Sequence, residues 1–210
     1  MGTYVPPASA QAPPSRVREF LGSVVSDAVD WADEGRSALV RAPLLVYLAY
    51  VFVRHVFNTR YFSLFDWFTV PVHELGHVVL RFGGEFVGVA GGTIFQLGFP
   101  LVAMFMFLRQ RDYFAVTVGS SWLSYNMYTM ATYIADSREM KLDYVTVGGG
   151  GEGIHDWDYM LTAFGLLEHD KQIAFLVRVV AFFVGVASIA AGAALVAIMA
   201  KSRNTPKITD

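Results

Sequence analysis

Cysteine is absent from the 210 residues. That excludes a disulfide framework, a thiolate nucleophile and cysteine-ligated zinc, so any metal must be held by His, Asp or Glu. Charge is scarce as well: Asp, Glu, Lys and Arg make up 16% of the chain and the net charge is −2, which excludes the basic surface that nucleic-acid binding requires. Histidine occurs only five times, too few for the several histidine boxes of a membrane di-iron oxygenase or desaturase. No basic start followed by an apolar run opens the chain, so a cleavable targeting signal is not expected. What is abundant is apolar surface. At 54% hydrophobic residues, 15% aromatics and positive mean hydropathy, the composition is that of a multi-pass integral membrane protein.

The proline-rich start, residues 1–15, reads as a disordered tail. Residues 16–41 read as an amphipathic helix lying on the bilayer surface, with Val17, Phe20, Leu21, Val24, Val25, Ala28 and Val29 on one face. Residues 43–200 form the membrane domain and residues 201–210 a polar tail. A spanning helix needs about 20 mostly apolar residues. Val179 to Ala200, Gly91 to Leu108, Tyr113 to Ala135 and Tyr61 to Phe82 meet this pattern. Pro43 to Phe57 is a fifth, marginal segment interrupted by Arg54 and His55, with His55 expected to face headgroups. The expected fold is therefore all-α, a bundle of four to five transmembrane helices. The "EFVGVAGG" after the fourth segment is expected to form a short strand-like hairpin, and "GGGGEG" a flexible loop.

The chemistry lies in "VHELGH". His73, Glu74 and His77 form HExxH, and on a helix positions four apart share a face. Two imidazoles so placed can hold one zinc ion, with the intervening glutamate beside it as general base. In an apolar segment such ionisable groups are rare and usually functional. A third protein ligand is needed. Counting segments puts the exit of His77, Asp136 and the loop carrying His155, Asp156 and Asp158 on one side of the membrane, with "RQRD" and the C-terminal tail on the other. Asp136 could cap a helix end, and Asp156 could be the N-cap of a helix starting at Trp157. His169 reads as an interfacial surface residue.

The chain resembles the site-2 protease family, zinc metallopeptidases whose active site is built from transmembrane helices. The likeness rests on "HELGH" in a spanning segment, the "GG" and short element after it, and the further helices, covering roughly Tyr61 to Asp158. The resemblance implies a third ligand from an aspartate in a later helix, in a pattern of Asn, then Pro, then Asp-Gly. Here Asn126 is followed ten residues later by Asp136, without the proline or the following glycine. Asp136 is accordingly the favoured third ligand, with His155 or Asp156 as alternatives. Asn126 is the candidate donor to an oxyanion, and Gln96, just before Pro100, is a second candidate or a partner for backbone groups that the proline frees. The implied function is hydrolysis of peptide bonds in membrane-embedded or membrane-tethered substrates, in a bacterial or archaeal cytoplasmic membrane. The alternative is a non-catalytic scaffold or chaperone-like binding protein that keeps a structural metal.

Overall fold

The computed structural model describes residues 16–142 and 155–204. The tail over 1–15, the glycine cluster before His155 and most of the polar tail over 201–210 lie outside them. All regular structure among the described residues is helical: α1 (Arg16–Asp33), α2 (Ala38–Phe57), α3 (Asp66–Leu80), α4 (Glu85–Arg109), α5 (Tyr113–Ala135), α6 (Asp156–Ala163) and α7 (Asp170–Asn204). Three helical stretches, Ala38–Phe57, Glu85–Arg109 and Leu167–Arg203, are long and apolar enough to cross a membrane.

Three sequence expectations give way to this architecture. The amphipathic helix expected over 16–41 ends at Asp33, because Gly35 takes a left-handed backbone (φ 81°) and the residues from Ala38 start α2. The strand-like hairpin does not form. "EFVGVAGG" is the first part of α4, entered through Gly84 at φ 98°. The segment from Tyr61 to Phe82 is not one long helix: α3 takes only the 15 residues Asp66–Leu80 and is not among the three stretches long and apolar enough to cross. Thr59 meets Thr132 in the last turn of α5, but Phe65 packs on Tyr47 and Tyr125, about two turns back. The chain thus turns inward after α2, and Asp66 closes the turn by accepting from the amide and hydroxyl of Ser63. Helix α3 starts inside the bundle and runs parallel to α2 and α5.

The two ends of the bundle differ. At one end Trp31 and Ala32 of α1 pack with Ala38, Tyr113, Phe114, Leu195 and Met199. The Ser202 hydroxyl donates to the Asp33 carbonyl there. At the other, α6 sits against the end of α5, and Arg138 ties that end to the start of α7 through Asp170 and Glu168. The polar groups of HExxH belong to this second end. Asp136 and His155 share this end with HExxH, while Tyr113, just after "RQRD", and Ser202 lie at the first.

Candidate metal centre

Helix α3 presents His73 and His77 one turn apart on the face that meets α4. The two helices approach to backbone distance because Gly76 faces Gly91, and a methyl on either would overlap the other's carbonyl. This closeness decides the imidazole tautomers. His77 Nδ1 lies 2.9 Å from the carbonyl oxygen of Gly88, a group that only accepts, so Nδ1 carries the proton. His73 Nδ1 lies 3.0 Å from Gln96 Oε1. The Gln96 amide nitrogen already donates to the Asn126 carbonyl and the Thr129 hydroxyl, so its oxygen accepts from His73. The Nε2 atoms are the ones left over from these contacts, and each can offer a lone pair to a cation once it is deprotonated.

Both Nε2 atoms face one carboxylate, an acceptor to which they are hydrogen-bonded. Asp156 Oδ2 lies 3.0 Å from His73 Nε2 and 3.2 Å from His77 Nε2. Three ligand atoms, one from each side chain, lie within 4.8 Å of one another. In a tetrahedral zinc site with bonds of about 2.1 Å, neighbouring ligand atoms are roughly 3.4 Å apart, so the three need open only slightly to admit an ion. Gly92 leaves the room: a side-chain carbon there would lie on His73 Nε2 and 2.5 Å from His77 Nε2. Three potential ligand atoms, gathered where the bare Cα of Gly92 lets the imidazoles lie, suit a small divalent cation. Burial pushes the Asp156 pKa up, but the facing imidazoles outweigh it and hold the carboxylate below its ordinary range. It is thus ionised at neutral pH. Glu74, half-buried, stands within electrostatic range of His77 and Tyr133.

The carboxylate brought to the two histidines is that of Asp156, not that of the favoured Asp136. Asp136 caps the end of α5, its two oxygens accepting from the amides of Lys141 and Leu142 at 3.0 and 2.9 Å. A carboxylate so engaged with the following turn is directed away from the histidines. His155, the other alternative, is the N-cap of α6: its Nδ1 accepts from the Asp158 amide at 3.2 Å. Burial lowers its pKa against the pull of Asp136, Asp156 and Asp158, which keeps that nitrogen an acceptor. Asp156 is the first helical residue rather than the cap, and this frees its side chain.

Asn126 and Gln96 are brought to the site's supporting layer. Pro100 has no amide hydrogen to offer the carbonyl of Gln96, and Asn126 Nδ2 donates to that carbonyl instead, at 2.5 Å. Asn126 Oδ1 accepts from Thr69, whose oxygen accepts from the Trp122 indole. Neither amide is directed at a reacting atom. His55 does not face headgroups: it is buried and stacked on Tyr125 and Tyr128. His169 is exposed, in the turn before α7. Sequence reasoning missed Gly88, Gly92 and Tyr133. The glycines at 88, 91 and 92 carried a helical three-to-four spacing that could have been read as a close-packing face, whereas Tyr133 carried no signal. No family model, no curated protein and no solved structure matches this chain.

Proposed function

We propose that this chain is an intramembrane zinc metallopeptidase similar to the site-2 proteases, with His73, His77 and Asp156 as the metal ligands and Glu74 as general base. The observation that carries the reading is the convergence of two Nε2 atoms and one carboxylate oxygen at the bare Cα of Gly92, with the HExxH glutamate in electrostatic range of His77. Zinc at that position supplies Lewis acidity, polarising the scissile carbonyl and easing deprotonation of water. The protein's own residues do the rest. Gln96 and the Gly88 carbonyl orient the imidazoles, and Glu74 takes a proton from the attacking water as its oxygen bonds to the carbonyl carbon. Glu74 then returns that proton to the amine nitrogen as the C–N bond breaks. Four crossings, α2, α4, α5 and α7, would frame the site, with α3 entering from mid-bundle. The side-chain exposures of His77 (26%) and His73 (15%) leave a path for an extended peptide.

The test is Glu74→Gln in purified full-length protein in detergent, assayed on membrane-spanning fluorogenic peptides. Cleavage should fall by at least about 100-fold while bound zinc stays at one per chain. Equal cleavage by parent and variant would end the peptidase reading. Zinc in both with cleavage in neither would favour the scaffold with a structural metal.

A further inference from the structure

Helix α6 brings the third ligand, yet at eight residues it is too short to hold its own conformation. What fixes it is a tyrosine from α5. The Tyr133 hydroxyl oxygen accepts from the backbone amide of Asp156 at 3.2 Å, meeting one of the donors that every helix N-terminus leaves without an internal partner. The Tyr133 ring lies nearly parallel to the imidazole of His155, 25° from coplanar, with centroids 4.2 Å apart. His155 in turn accepts from the Asp158 amide. On its other side the same ring meets His73 edge-on at 6.4 Å. One side chain therefore touches the first metal-binding histidine, the amide of the third ligand and the cap of the helix that bears it.

We propose that Tyr133 is the positioning residue of the third metal ligand, its hydroxyl and ring together setting the first turn of α6 so that Asp156 Oδ2 meets both imidazoles. The inference rests on the metal-site reading above. A tyrosine needed only for packing could be phenylalanine; here the hydroxyl holds the amide of the ligand itself. Partners that orient a ligand rather than bind the metal typically change metal affinity by about 10- to 100-fold when lost.

The test uses the full chain in detergent, with zinc affinity measured by chelator competition and cobalt(II) substituted to report the ligand field by visible absorption. Tyr133→Phe removes only the hydroxyl. It should weaken zinc binding by about tenfold and shift the cobalt bands, while the metal-free thermal midpoint stays at the parent value. Should that variant not fold, His155→Asn decides instead, since asparagine keeps a cap acceptor but removes the stacked ring; it should likewise weaken binding and shift the bands. Parent affinity and parent spectrum in the deciding variant would overturn the proposal and leave the metal site standing. A parent protein that binds neither zinc nor cobalt would overturn both.

Discussion

The α5–α7 pair and the α3–α4 pair are both closed on small residues, but small size is put to different use in each. Between α5 and α7 the small residues carry hydroxyls. Ser188 shares a 2.7 Å hydrogen bond with Ser121 and lies 2.7 Å from the carbonyl of Thr117, while the Ser124 hydroxyl donates to the carbonyl of Ala181. That seam is closed by polar contacts between packed helices and leaves no room for anything else. Between α3 and α4 the small residues are glycines, and the groups meeting across them are backbone carbonyls and imidazoles. There the missing side chains permit a close approach and let two imidazole nitrogens lie against the backbone at Gly92. The first seam is joined by hydroxyls and the second by bare backbone that brings two imidazoles together.

Substitution can break this contrast. The largest effect is expected at Gly92, where alanine would put a methyl group among the ligand atoms. Gly92→Ala should weaken zinc binding by at least about 100-fold in chelator competition, because the imidazoles must turn away to make room. Retained parent affinity would mean that the ion sits elsewhere. Next comes Gly76→Ala, whose methyl would overlap the carbonyl of Gly91, a backbone group that cannot rotate aside. Separating α3 from α4 should cost about 3 kcal/mol, read as a lower thermal midpoint in detergent even for metal-free protein. The smallest effect is expected in the other seam. Ser188→Ala removes two hydrogen bonds but adds no volume. It should cost about 1 kcal/mol and leave zinc affinity at the parent value. A loss of zinc binding there would show that the two seams are not separate.

How much of this was legible beforehand follows from the range over which each signal acts. HExxH is local, and one helical turn brings its histidines together whatever surrounds them. The all-helical, apolar character was legible for the same reason, from runs of residues such as Val179 to Ala200. The third ligand was not, because choosing between Asp136 and Asp156 depends on which carboxylate the neighbouring backbone claims. Lys141 and Leu142 claim the first, and His155 relieves the second by capping α6 in its place. "EFVGVAGG" was misread because, in isolation, valine and phenylalanine favour a strand and clustered glycines disfavour a helix. Their meaning here is set by α3, whose backbone those glycines receive. The inward turn before α3 was equally hidden, since Phe65 looks like any membrane-facing aromatic until Tyr47 and Tyr125 are placed around it.

The three potential ligands come from two distant stretches of one chain, His73 and His77 on α3 and Asp156 some eighty residues later. A cation held there would be a cross-link. It would close a loop of that length and restrict the unfolded chain by an entropy of the kind a disulfide imposes, about 4 kcal/mol for a loop of this size in the simple chain model. In a sequence without a single cysteine, the ion would then staple the two parts of the fold as well as serve the chemistry between them.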